Sequence, residues 1–207
     1  MLNSKFIKSI AIVSTIGLMV SGCGNSSSSD SVLLGLGYNG KLVDSAIDGA
    51  TWKCGTKSGV TKGGGLFGSC PFGTKATFSI GNIVLGSVGA TTDLIFTLND
   101  VVGVSRDDTN NEAVKNMASL IQSLDNDGDP SNGIGITPAV IEKVNEKYPT
   151  STPVSTLNPT KIEEITVATG TTFIDEDTAL QNANSTLDDV KSGVVTKPTQ
   201  PTDQSTN

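Results

Sequence analysis

Two kinds of hydrophobic pattern divide this chain. From residue 39 to 100, short runs alternate apolar and polar positions and are punctuated by glycine, the period-2 signature of strands with turn residues between them. The spacing predicts strands over Gly40–Asp44, Ala50–Cys54, Gly65–Cys70, Lys75–Ile80 and Ile83–Val88, with turns at Asp48-Gly49, Gly63-Gly64 and Phe72-Gly73. Phe78 and Ile80 fall on one face of their strand, and Trp52 alternates with Cys54 as an anchor for a small core.

After residue 100 the period changes to that of helices. Residues 100–110 read as a polar connection that ends at a cap, Thr109 or Asn110, and Val114, Met117, Ala118, Ile121 and Leu124 then form an amphipathic stripe. Thr137-Pro138 sets an N-cap and first helical residue for a second stripe of Val140, Ile141, Val144 and Tyr148, which Pro149 stops. Residues 149–157 read as a loop. Asn158-Pro159 opens a short helix with Ile162 and Ile165, and Asp175 opens the last, with Leu180, Ala183, Leu187 and Val190. The Pro/Thr/Gln-rich segment 194–207 reads as a disordered tail. The fold class expected is α+β: a small antiparallel β-sandwich-like module over 39–100, followed by a helical module over 101–193.

The N-terminus carries a different pattern. Lys5 and Lys8 precede an apolar run from Ile10 to Val20, followed by Ser21-Gly22-Cys23. A positive region, an apolar region and small residues at a cleavage point make an export signal over 1–22, too short for a transmembrane helix. Val20-Ser21-Gly22-Cys23 resembles the bacterial lipobox, which implies that Cys23 is lipidated and heads the mature chain. Several acyl chains on one residue hold far more firmly than one. The other reading is a plain secreted protein with a stray cysteine. Gly24 stands where an Asp would imply retention at the inner membrane, so the resemblance implies the outer membrane if the cell is Gram-negative. Residues 23–38 read as a tether between lipid and fold, with Val32-Leu-Leu-Gly-Leu36 either tether or a first strand.

Composition narrows the chemistry. The chain has 14 Lys and Arg against 21 Asp and Glu. Loss of residues 1–22, which hold two lysines and no acid, moves the net charge from −7 to −9. An acidic chain is not steered toward nucleic acid or anionic lipid, so the expected membrane attachment is the N-terminal lipid alone. The chain has no histidine, which excludes Ser-His-Asp and Cys-His catalysis and every His-containing zinc site. With Cys23 assigned to lipid, Cys54 and Cys70 remain. In an oxidising compartment they are expected to form a disulfide worth about 3 kcal/mol; the alternative is two buried free thiols. Gly59-Val-Thr-Lys-Gly-Gly-Gly65 lacks the Gly-Lys-Ser/Thr ending of a phosphate loop and reads as a hairpin loop. Few aromatic residues remain beyond those a core needs, and no nucleophile motif stands out, so no enzymatic activity is expected.

The stretch with chemistry of its own is Leu124-Asp-Asn-Asp-Gly-Asp-Pro-Ser-Asn-Gly-Ile-Gly-Ile136. Alternating Asp125, Asp127 and Asp129 on a turning backbone can aim at one point, and a hard cation relieves their repulsion. The run starts like an EF-hand loop, but Pro130 stands where that loop needs Gly and Ile136 where it needs Glu. It more closely resembles thrombospondin type 3 and related bacterial calcium loops. That resemblance implies calcium held by Asp125, Asp127 and Asp129, with Asn132 adding an amide oxygen and Asp107 or Asp108 reaching in. The competing reading is a solvated turn between helices.

The β region carries a second resemblance. Gly40-Lys-Leu-Val-Asp44, Ile47-Asp-Gly-Ala-Thr-Trp52, the stretch from Thr61 to Phe67, Pro71-Phe-Gly73 and Thr77–Ile80 resemble, over about 50 residues, the transthyretin-like sandwich called the carboxypeptidase regulatory-like domain. The resemblance implies an accessory or binding module without catalytic residues. The cysteine pair and the three consecutive glycines depart from the family pattern. Together these readings predict a lipid-anchored bacterial envelope protein acting as a binding or adhesion-type module. The alternative is an accessory subunit that docks a protein partner through its helical face.

Overall fold

A computed structural model of the chain describes residues 37–201. The export signal, Cys23, the tether up to residue 36 and residues 202–207 lie outside the described residues.

The five predicted strands all form, with small shifts at their ends: β1 (Gly37–Val43), β3 (Thr51–Cys54), β5 (Leu66–Pro71), β6 (Ala76–Ile80) and β7 (Ile83–Val88). Periodicity missed the others. β2 (Ile47–Asp48), β9 (Ile134–Gly135) and β10 (Thr152–Pro153) are two residues each, and β8 (Ile95–Thr97) is three, too short to show alternation. β4 (Lys57–Val60) has no buried residue, so no apolar face marks it. One sheet has the order β5-β1-β8 and the other β10-β7-β6-β3-β4, while β2 and β9 pair by themselves. The pairs β3–β4 and β6–β7, joined by short turns, are antiparallel, as are β1–β5 and β3–β6, while β1–β8, β2–β9 and β7–β10 are parallel.

Aromatic residues of the two sheets meet in one cluster. Phe67 of β5 lies 5.1 Å from Phe78 of β6 and 5.9 Å from Trp52 of β3, measured between ring centres. Cys54 and Cys70 form the disulfide, tying β3 of one sheet to β5 of the other.

The helices are α1 (Leu98–Val102), α2 (Glu112–Ser123), α3 (Pro138–Lys147), α4 (Pro159–Thr169) and α5 (Glu176–Ser192). α1 lies in and just before the expected polar connection. Thr97 and Asp100 close a reciprocal cap on it, and Arg106 ties Asp100 to Asp93. Asn111, one residue past the expected caps, caps α2 through its side-chain oxygen. Thr137, Asn158 and Asp175 cap α3, α4 and α5 where the sequence places them.

The boundary near residue 100 is one of chain order and not of packing. Val114, Met117, Leu120 and Ile121 of α2 and its C-cap Leu124 join Tyr38, Leu42, Phe78 and Phe96 in a single buried cluster, and the described residues 37–201 form one compact unit. Residues 195–201 do not project as a free tail. Gln200 accepts the Asn39 N–H and donates to the Asn39 carbonyl, both at 3.0 Å, which fixes this segment beside β1.

Candidate functional site

The Asp-rich loop leaves α2 at Leu124 and returns through β9. The β2–β9 pair holds it against the β half: Ile47 pairs with Ile134 and Asp48 with Gly135, and the Ile136 N–H donates to the Asp48 carbonyl at 2.9 Å. Gly49 lies under this junction, with a positive φ and no room for a Cβ, which would stand 2.1 Å from the Ile136 carbonyl oxygen.

The predicted ligands divide into two groups. Asp125 is 2% exposed; its Oδ1 accepts the N–H of Gly135 at 2.7 Å and of Asn126 at 3.0 Å. Its Oδ2 is buried without a hydrogen-bond partner among the described residues. Burial pushes the Asp125 carboxyl above the usual range; the Gly135 N–H opposes the shift and the adjacent Asp127 carboxyl adds to it. Asp127 faces Asp125 from the exposed side. The Asp129 N–H, then the Asn132 amide and the Asp125 carboxyl, hold Asp127 below the usual range. Asn132 belongs to this group, but through its Nδ2, which donates to Asp127 Oδ2 at 3.1 Å.

Asp129 does different work. Its Oδ1 accepts the Ser131 N–H and hydroxyl and caps the 3-10 turn Pro130–Asn132. Asp107 pairs with Lys191 and Asp108 accepts from Asn111, so neither reaches the loop through these contacts. Among the described residues no three acidic, cysteine or histidine side chains converge. What converges is a pair of carboxylates, one with a bare buried oxygen. A like-charged pair of this kind needs a proton or a cation between its members.

Two further carboxylates escaped the sequence reading. Asp48, beside the loop, points into the Gly63–Gly65 turn. Its Oδ2 accepts the Gly63 N–H at 2.9 Å and its Oδ1 the Gly65 N–H at 2.7 Å, with the Gly64 N–H shared between them. The glycine run is thus an anion cradle, and its anion comes from the same chain. An Asp at a turn, followed by three glycines fifteen residues on, is the signal that could have found it. Asp44, at the end of β1, is buried and receives one described hydrogen bond, from Gln122 Nε2 at 3.0 Å, leaving Oδ1 without a partner. Burial pushes Asp44 to about 7, against the pull of Gln122. Gln122 also donates to the Ala179 carbonyl and accepts from Asn182, so this carboxyl sits where β1, α2 and α5 meet. Sequence spacing has no signature for a long-range polar contact of this kind. No protein family, curated protein or solved structure matches the chain.

Proposed function

We propose that this chain is a lipid-anchored protein of the bacterial envelope, acting as a non-catalytic binding module whose Asp-rich loop takes a structural calcium ion. The observation that carries the anchoring is the register of Lys5, Lys8, the apolar run and Cys23. The Cys54–Cys70 disulfide supports it, since such bonds persist in exported proteins. The two-sheet β half supports its reading as an accessory module of the carboxypeptidase regulatory-like kind. The membrane contact is the lipid, and the implied location is the outer membrane if the cell has one.

The bare Oδ2 of Asp125 supports the cation. Asp125 and Asp127 would supply carboxylate oxygens, which are the ligands a hard ion such as calcium takes. A cation there would relieve the repulsion between the two carboxylates and lock the β2–β9 junction. Asp129 caps its own turn and Asn132 presents its amide nitrogen, so both would have to turn to join the coordination.

Two experiments test the two halves of this reading. Growth with labelled palmitate should label the protein, and Cys23→Ser should abolish the label and release the protein from membranes; an unlabelled, freely soluble wild type refutes the anchoring. Calcium at 100 times its dissociation constant adds about 2.7 kcal/mol, enough to move a domain of this size by several degrees. A melt that does not move between EDTA and millimolar calcium refutes the cation.

A further inference from the structure

An open apolar groove lies away from the Asp loop, where the free edges of the two sheets meet. β4 ends the five-stranded sheet and β5 ends the three-stranded one. Between them is a groove of about 790 Å³ lined by Trp52, Gly59, Val60, Leu66 and Phe67, with Lys62 at its margin. Val60 and Leu66 are 51% and 41% exposed.

The edge of β4 has open backbone groups. The bond from the Thr61 N–H to the Ala50 carbonyl sets the alternation of the β3–β4 ladder, which turns the N–H and C=O of Ser58 and Val60 away from β3. No backbone hydrogen bond outside the ladder reaches either residue among those described. The groove wall already holds another segment of this chain: Pro198 and Thr199 line it, and Asn39 Nδ2 donates to the Thr199 carbonyl at 2.9 Å.

Charge sets this region apart. Between Asp48 and Asp93 the chain has no acidic residue and four lysines, Lys53, Lys57, Lys62 and Lys75, in a protein of net charge −7. None of the four forms an ion pair among the described residues, whereas Lys115, Lys143, Lys147 and Lys191 all do.

We infer that the β4–β5 groove binds an extended acidic peptide segment of a partner protein, which adds a strand to the free edge of β4 and sets apolar side chains on Trp52, Val60 and Leu66. The inference rests on the reading of this chain as a binding module and names its ligand class. Main-chain bonds to Ser58 and Val60 give affinity, and the lysines select acidic sequences and repel basic ones.

Trp52 is the single tryptophan of the chain and reports on the groove directly. The chain from residue 24 contains the whole compact unit and is titrated with acetyl-Val-Glu-Val-Glu-Val-Glu-amide while its fluorescence is read. A saturable change with a midpoint below about 1 mM is expected. The peptide with Lys in place of Glu gives none. Of two peptides N-methylated on alternate residues, the one whose blocked N–H groups face β4 loses about tenfold in affinity. The double variant Lys57→Glu, Lys62→Glu also loses about tenfold. No saturable change overturns the inference. So does equal binding of the parent and both methylated peptides, or binding no stronger than that of dextran sulfate, since either makes the lysines a non-specific cationic surface. So does an unchanged affinity in the double variant. None of these outcomes touches the palmitate test, so failure here and failure of the anchored reading are separable.

Discussion

Asp48 and Asp125 sit on the two sides of one short ladder, and they meet opposite fates. Asp48 lies in β2 and its carboxylate receives three glycine N–H groups. Asp125 receives the N–H of Gly135, the residue paired with Asp48, and one more from Asn126, both on the same oxygen. The first carboxylate is satisfied by its own chain; the second keeps a buried oxygen that the described residues do not satisfy. Glycine makes the difference. Three consecutive positive-φ residues can turn successive N–H groups toward one point, and Gly63, Gly64 and Gly65 supply them. The Asp-rich loop has Gly128 but follows it with Asp129 and Pro130, and proline has no N–H to give. A loop built from acids, with few free donors, is left needing something from outside. Asp44 is a third case: buried where β1, α2 and α5 meet, it receives one described donor and is pushed toward neutrality instead.

The comparison can be broken in four places. The largest effect is expected from Asp44. An acid whose folded pKa is raised to about 7 keeps its proton in the native state while the unfolded chain has lost it. Its contribution is therefore fully present below the ordinary carboxylate range and is lost as pH rises through about 7. Up to about 4 kcal/mol is at stake, and Asp44→Asn should flatten the fall in urea-unfolding stability between pH 4 and pH 7. Burial also pushes Glu176 and Asp125 up, so some slope should remain. Asp127 and Asp175 are held low, mainly by backbone N–H groups, and act in the opposite sense at lower pH. A variant with the wild-type profile would show that Asp44 is ionised in the fold.

Next is Gly65→Ala. Its φ is +80° and a Cβ would stand 2.1 Å from the Leu42 carbonyl oxygen, so the cradle cannot keep its shape. About 3 kcal/mol should be lost, read as a lower melting temperature in any buffer. A loss under about 1 kcal/mol would mean the turn relaxes freely.

Asp48→Ala removes the anion and leaves three N–H groups behind, of which the Gly65 group is the most buried. About 2 kcal/mol should be lost, with or without calcium. Asp125→Asn sharpens the contrast. The amide keeps an acceptor for Gly135 and Asn126 and offers a donor toward Asp127, so in EDTA it should be neutral or stabilising by about 1 kcal/mol. In millimolar calcium the same variant should lack the upward shift expected of the wild type. If Asp48→Ala proved the calcium-sensitive variant and Asp125→Asn did not, the roles assigned to the two loops would be reversed. In every case a single transition is expected, because the helices and sheets share one core.

Much of the fold is written in local pattern. Strands β1, β3, β5, β6 and β7, the helical stripes and the caps Thr137, Asn158 and Asp175 are legible because each depends on spacing or on one residue beside a helix start. So was the cysteine pair, once only two cysteines remained. The exposed β4 and the two-residue β2, β9 and β10 were not legible, since they exist only because another strand lies alongside. The split into two modules followed the change of period at residue 100, but period describes elements and not what they pack against.

The candidate site was half legible. The sequence by itself determined that three carboxylates would lie on one short turning segment, 125–129. Tertiary structure decided their roles: Gly135 draws in Asp125, Asn132 holds Asp127, and Asp129 turns away to cap its own 3-10 turn. Sequence likewise placed an Asp before Gly49 and three glycines at 63–65, but only the fold brought them together. An acid's local neighbours set where charge accumulates; its distant backbone partners set whether that charge is satisfied.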